Sequence, residues 1–329
     1  MEESVLKQWL PTMVEWRRYL HRHPEVSFQE EKTAAFVAAR LKEMGYEVRS
    51  GLGGHGVMAV LKGGLPGKTV VLRADMDALP IQDEKDYEYK STVPGAMHAC
   101  GHDGHTAILL AAAACLKDNR EQVRGEIRFM FQPAEEFCPG GAQGMIRDGA
   151  IDGADVIYGL HLWTPLQTGT AASASGPVMA ATDEFFIDMI GRGGHGGMPH
   201  VTADAIVAGA ALVTQMQSIV SRSVDPLQPA VVTVGSIQGG TAQNVIADRC
   251  RITGTVRTFD EETRALIRTR IETIAKTTAQ AYGTEASIDY RIGYPAVVND
   301  EMEAGRFFRT APQIFGEEGV LVAPKIMPA

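Results

Sequence analysis

The sequence has no H-E-x-x-H and no G-x-S-x-G, which sets aside the helical zinc proteases and the serine hydrolases built on a nucleophile turn. No segment approaches the roughly 20 apolar residues of a membrane span, so no membrane partner is expected. The opening MEESVLKQWL lacks the basic start and apolar stretch of a secretory leader. Cysteine is scarce: Cys100, Cys115, Cys138 and Cys250 are too few in 329 residues for a disulfide framework. Free thiols without a leader predict a cytoplasmic protein. Positive charge is also short, with a formal net charge of −9 and no basic run interleaved with aromatics, which argues against a nucleic-acid partner.

What is present is a globular composition, 45% apolar and 22% charged, in a chain longer than single cores usually grow. Two domains are expected. Val5, Leu6, Trp9, Leu10, Met13, Val14 and Trp16 recur at helical spacing, and residues 28–44 read as a second amphipathic helix. GYEVRS and VMAVLKG read as strands around a glycine turn, TVVLRADMDALP begins as a buried strand, TAILLAAAACLKD is a deeply packed helix, GEIRFMFQPAEE alternates through Ile127, Phe129 and Phe131, and ADVIYGLHL reads as another buried strand. Strands alternating with helices predict an α/β sheet whose functional groups collect at strand ends. From about Asp183 the segments spell β-α-β-β-α-β, the split βαβ pattern, and residues 300–315 turn helical again. The second domain therefore reads as an insertion at 183–292, with 1–182 and 293–329 forming the first. GLGGHG at 51–56 spells a dinucleotide fingerprint, but a strand follows it where a helix N-terminus is needed, so it reads as a hairpin turn. GGLPGKT lacks the first glycine of a phosphate loop and reads as a turn.

Three ligand-rich spots stand at strand ends. MHACGHDGHT holds Cys100 and His102, whose thiolate and imidazole suit a borderline ion such as zinc, although a buried cysteine beside a helix-capping histidine gives the same letters. Glu135 and Glu136 follow a buried strand, where two carboxylates need a positive partner; a solvated loop after Pro133 is the alternative. His161 closes the next strand. Asp75, Asp77, His98, Asp103 and His105 are candidates to orient ligands or to serve structure, as a metal-bound histidine commonly gives its other N–H to a carboxylate. Cys115 and Cys250 read as packing, and nothing requires Cys138 to act. In the second segment, glycines 191, 193, 194, 196 and 197 surround His195, permitting close backbone approach.

MHACGHDGH, FQPAEE, GLHLW and GRGGHGGMPH, in that order, resemble the M20 metallopeptidase family, in particular its amidohydrolase branch of hippurate, N-acyl-amino-acid and auxin-conjugate hydrolases. The likeness runs from RRYLHRHPEVSFQEEKTA to the chain's end. It implies a catalytic α/β domain with a mixed, mostly parallel sheet flanked by helices, an inserted ferredoxin-like lid, and a homodimer or higher homo-oligomer through that lid. It implies two divalent ions, zinc, manganese or cobalt, with Cys100, His102, Glu136 and His161 as ligands, the Cys100 thiolate bridging, and Glu135 as general base. His195 would stabilise the oxyanion, and Asn244 and Arg257 would hold the carboxylate of an N-acyl amino acid. His200 reads as structural.

The resemblance has one departure. The family pattern continues past APKIMPA with a Glu-Asp-Phe segment and a later histidine that completes the second ion's ligands, so this chain is expected to hold at most one ion tightly, or none, and to hydrolyse amides poorly. The competing readings are a dipeptidase or exopeptidase on the same scaffold and a metal-free binding or dimerisation protein.

Overall fold

A computed structural model of the chain describes residues 3–327. By their internal contacts they form two units, one ending at Pro165 and the other beginning at Leu166. No helix among the described residues is long and apolar enough to cross a membrane.

The first unit runs α1 (Glu3–Arg22), α2 (Glu31–Glu43), β1 (Val48–Leu52), β2 (Gly56–Lys62), β3 (Leu65–Asp75), α3 (His102–Asp118), β4 (Arg124–Gln132), α4 (Ala142–Arg147) and β5 (Val156–Gly159). Its sheet has the order β1-β2-β4-β3-β5. β4, β3 and β5 are parallel, while β1–β2 and β2–β4 are antiparallel, so the sheet is mixed, with less parallel pairing than the strand–helix alternation predicts. The reason is GLGGHG: Leu52 faces Gly56 across a turn in which Gly53 and Gly54 have positive φ, as does Gly51 at the irregular end of β1, and a hairpin results with no helix after it. Residues 63–64 form the second glycine turn, and LPGK opens β3 with an irregular register.

Helices α2 and α3 supply Val37, Leu41, Leu110 and Ala113 to a core with Phe129 and Phe131 of β4, and Met145 of α4 packs with Met58, Val71 and Met130 in a second cluster. Covered on both faces, β4 is buried continuously from Phe129 to Gln132 and does not alternate there. The expectation for β5 is corrected in the opposite direction. Among the described residues it pairs only with β3, and Ile157 is 51% exposed, so ADVIYG is a half-covered edge and not a buried strand.

The second unit runs β6 (Ala171–Ser173), β7 (Gly176–Met179), β8 (Ala181–Ile190), β9 (Gly194–His195), α5 (Ala205–Ser218), β10 (Ala230–Gly239), β11 (Val245–Ile246), β12 (Arg249–Thr258), α6 (Glu261–Ala281), β13 (Glu285–Ile292), β14 (Val297–Asn299), α7 (Glu301–Thr310), α8 (Pro312–Phe315) and β15 (Val320–Val322). A four-stranded antiparallel sheet, β10-β12-β8-β13, packs one face on α5 and α6 through Phe185, Ile187, Leu212, Ile252, Ile267 and Ile271. Asp204 and Asp260 cap the two helices by accepting from first-turn amides, and each such cap contributes about 1 kcal/mol. On either side of this sheet in sequence, β6 pairs with β15 and β7 with β14.

Candidate metal centre

β3, β4 and β5 run parallel, so their C-terminal ends lie side by side, and the candidate residues follow those ends. β3 delivers Asp75 and then Asp77. β4 ends at Gln132, three residues before Glu135. β5 ends at Gly159, two before His161. His102 opens α3, which begins there and not at Thr106, and Cys100 lies two residues ahead of it, just before the N-cap Gly101. Gly101 takes a left-handed φ of 92°, and a Cβ on Gly104 would stand 2.5 Å from the Leu162 side chain. Glycine at 104 therefore lets the 161–162 segment close on the start of α3.

Five sequence candidates come together here. Cys100 Sγ lies 3.3 Å from His161 Nε2, and His102 Nε2 lies 3.7 Å from Glu136 Oε1 and 3.9 Å from Glu135 Oε2. Donor atoms of Cys100, His102 and His161, and of His102, Glu135 and Glu136, group within 4.8 Å of one another. The imidazole tautomers follow from their other nitrogens. His102 Nδ1 donates to the Asp77 carbonyl at 2.9 Å and approaches Asp77 Oδ1 at 3.2 Å, and His161 Nδ1 donates to the Leu162 carbonyl at 2.7 Å. In the neutral ring each Nε2 is thus the nitrogen whose lone pair faces inward.

His102 Nε2 and Glu136 Oε1 are buried without a hydrogen-bond partner among the described residues, although they face one another. At 3.7 Å they are beyond the 2.7–3.2 Å of an N–H···O bond. Ligands placed about 2.0–2.3 Å from one tetrahedral ion stand roughly 3.3–3.8 Å apart, the spacing of both the Cys100–His161 and His102–Glu136 pairs. Thiolate, imidazole and carboxylate are also the donor set of a borderline divalent cation. The residues fit a metal ion.

The surrounding groups are tied to the backbone. Asp77 also accepts from Ser27 Oγ at 2.6 Å and from the Glu136 amide at 3.0 Å, coupling the His102 side of the cluster to the glutamate side. His105 is used at both nitrogens, donating to Asp75 Oδ1 at 2.6 Å and accepting the Leu162 amide at 2.8 Å, which anchors the segment carrying His161. Arg73 donates to Asp75 and to Gln132 at 2.6 and 2.9 Å. Sequence reading passed over Arg73 and Ser27; the signal for Arg73 is period-two spacing to Asp75 on one strand face. Asp103 faces away, accepting from Arg17 and His21 of α1. His98 is buried with neither ring nitrogen partnered among the described residues, and burial pushes it down to about 4.

Charge follows this geometry. Burial lowers the affinity of the His102 ring for a proton, but the bond to Asp77, the Cys100 thiol and Asp75 override it and raise it to about 11, so positive charge is favoured at this point. Burial raises Glu135 to about 7, helped by Asp75 and opposed by His102. Burial likewise pushes the Cys100 thiol and Glu136 up and, with His105, His161 down. Asp75 is held well below the carboxylate range, because Arg73 and the bond from His105 outweigh its burial.

In the second unit, His195 on β9 pairs with Val245 on β11, and the Asn244 carbonyl accepts the Gly196 amide at 2.7 Å, so His195 and Asn244 share one exposed loop pair. Arg257 does not join them. It lies eight residues farther along β12 than Arg249, roughly 26 Å at strand rise, and donates to Thr255 Oγ1 and the Val256 carbonyl. Within one chain, β12 thus sets Asn244 and Arg257 near its opposite ends.

The sequence pattern of peptidase family M20/M25/M40 matches residues 71–329. An N-acyl-L-amino acid amidohydrolase of Geobacillus stearothermophilus is 52% identical over 287 residues, covering 87% of this chain and 78% of the relative. Thermostable carboxypeptidase 1 of Saccharolobus solfataricus is 39% identical over 298 residues, covering 90% and 75%. A solved Bacillus subtilis structure, described as a dinuclear metal-binding peptidase of the M20 family, superposes with a TM-score of 0.82 at 33% identity over 98% of this chain and 84% of that one. With its strand-end donor cluster and these relatives, the chain belongs to peptidase family M20/M25/M40.

Proposed function

We propose that this chain hydrolyses the amide bond of N-acyl amino acids, using divalent ions held by Cys100, His102, Glu136 and His161. The observation that carries the reading is the pair of buried atoms, His102 Nε2 and Glu136 Oε1, that face each other at 3.7 Å with no hydrogen-bond partner among the described residues. The dinuclear B. subtilis relative supports a site for two ions, which Cys100, His102, Glu136 and His161 would hold, and the Geobacillus relative supports the substrate class.

When bound, the metal supplies Lewis acidity that polarises the amide carbonyl and makes water easier to deprotonate. Glu135 is the proton carrier. Its side chain is 31% exposed against 18% for Glu136, so it is the carboxylate of the pair more open to water. Its carboxylate takes a proton from the attacking water as the new C–O bond forms and returns it to the amide nitrogen as the C–N bond breaks. Asp77 holds His102 in the tautomer that points Nε2 inward, and the Arg73–Asp75–His105 chain fixes the loop of His161.

Residues 183–292 are assigned as an inserted ferredoxin-like lid, with 1–182 and 293–329 as the catalytic domain; the pairing of β6 with β15 and β7 with β14 supports the insertion, because the chain leaves and re-enters beside itself. His195 is assigned to the developing oxyanion, and Asn244 and Arg257 to the substrate carboxylate. Dimerisation through the lid is part of the same reading and is checked by light scattering. A carboxypeptidase is the second reading, favoured by the Saccharolobus relative. Purified protein, stripped by chelator and reloaded with zinc, manganese or cobalt, is assayed on N-acetyl and N-benzoyl amino acids and on dipeptides. Metal-restored turnover of the acyl amino acids supports the amidohydrolase; turnover of dipeptides alone supports the peptidase; turnover untouched by chelator overturns both.

A further inference from the structure

Among the described residues, two that are not glycine have left-handed backbones, Phe28 with φ 65° and Ala134 with φ 48°, and one carboxylate oxygen joins them. Glu30 Oε1 accepts the Ala134 amide at 2.7 Å and the Phe28 amide at 3.1 Å. Glu30 is fully buried, and its Oε2 has no hydrogen-bond partner among the described residues. Left-handed conformations outside glycine persist only where the surroundings over-determine them. Ala134 is the residue immediately before Glu135 and Glu136. Three residues before Glu30, Ser27 donates to Asp77, which holds His102 and the Glu136 amide. A four-residue stretch ahead of α2 thus grips both halves of the donor cluster, one through Asp77 and the other through Ala134.

We infer that Glu30 is a positioning residue whose Oε1 pins the Ala134 amide in the left-handed turn that aims Glu135 and Glu136 at His102. It acts through those two carboxylates and touches neither substrate nor ion. Without an acceptor at this place, Ala134 relaxes toward the right-handed or extended regions open to alanine, and the two residues after it swing with the chain. The inference rests on the metal centre proposed above.

The test compares Glu30→Met, which keeps bulk and removes the acceptor, with Glu30→Gln, which keeps an oxygen for Ala134. Val37→Ala on α2 serves as a control for lost stability alone. Chelator-stripped full-length protein is titrated with cobalt(II), read from the thiolate-to-cobalt absorption of Cys100, and kcat and KM are measured on an N-acetyl amino acid. Glu30→Met is expected to weaken cobalt binding and lower kcat by about 10–100-fold each, with KM little changed, and Glu30→Gln to restore most of both. Val37→Ala is expected to lower only the unfolding temperature. If Glu30→Met folds poorly, adding Ala134→Gly, which adopts the left-handed turn freely, is expected to recover part of the cobalt affinity. The inference is overturned if Glu30→Met matches Val37→Ala, if Glu30→Gln loses as much as Glu30→Met, if Ala134→Gly recovers nothing in a poorly folding Glu30→Met, or if the wild type takes up no cobalt. Wild-type protein that binds cobalt but turns over no acyl amino acid would sink the amidohydrolase reading and leave the cobalt comparison to decide Glu30.

Discussion

Each unit of this chain buries a cluster of charge, and the two clusters are built in opposite ways. Asp183 in the second unit is matched completely: Arg264 donates through Nε and Nη2, Tyr290 through its hydroxyl at 2.7 Å, and the Gly293 amide at 2.9 Å. Around His102 in the first unit, the outward-facing atoms are equally well matched, but His102 Nε2 and Glu136 Oε1 are not, and both turn toward the same point. Buried polar groups in native proteins are almost always paired, so two unpaired atoms that converge on one point mark a place for a ligand. The Asp183 cluster holds β8, α6 and β13 together; the His102 cluster holds donors apart at metal-ligand spacing.

That contrast can be broken by mutation on either side. The largest effect is expected from Glu135→Gln, which should lower kcat by about 10²–10⁴-fold while the protein still binds cobalt and unfolds normally; undiminished turnover would remove Glu135 from proton transfer. Asp183→Asn comes next. Taking one charge from a buried pair costs about 3–5 kcal/mol, read from urea unfolding, and cobalt affinity should be unchanged. A loss of metal binding with no loss of stability would reverse the roles given to the two clusters. Asp77→Ala should weaken metal binding by about 10–100-fold by freeing the His102 ring and the Glu136 amide, an outcome that equilibrium dialysis checks.

The smallest effect is on acid stability. Burial alone would raise the Asp183 carboxyl, but Arg264, the Gly293 amide and Tyr290 hold it below its ordinary value. A depressed carboxyl contributes stability that is complete above the unfolded value of about 3.9 and is lost as pH falls through the folded value. The stability gap between wild type and Asp183→Asn should therefore be constant above about pH 5 and shrink below about pH 4. A gap that widens on acidification would contradict the assignment.

Much of this was legible in the sequence because it depends on local pattern. Helical periodicity marks α1 and α6, β-branched runs mark β3 and β10, and the strand-end rule places Cys100, Glu135, Glu136 and His161 near one another. The rest depends on neighbours distant in the chain. That β5 is an edge, and that β4 is covered on both faces, follows from the strand order. That His105 is spent on Asp75 and Leu162 follows from contacts 30 and 57 residues away. That Asn244 and Arg257 stand apart within one chain follows from the extended strand that fills most of the thirteen positions from one to the other.

The central claim is tested most directly by the X-ray absorption spectrum of zinc-loaded protein. The account predicts a sulfur neighbour at about 2.3 Å with nitrogen and oxygen neighbours at about 2.0–2.2 Å, and loss of the sulfur in Cys100→Ser. Zinc surrounded only by nitrogen and oxygen in the wild type, or a sulfur neighbour that survives Cys100→Ser, would contradict it.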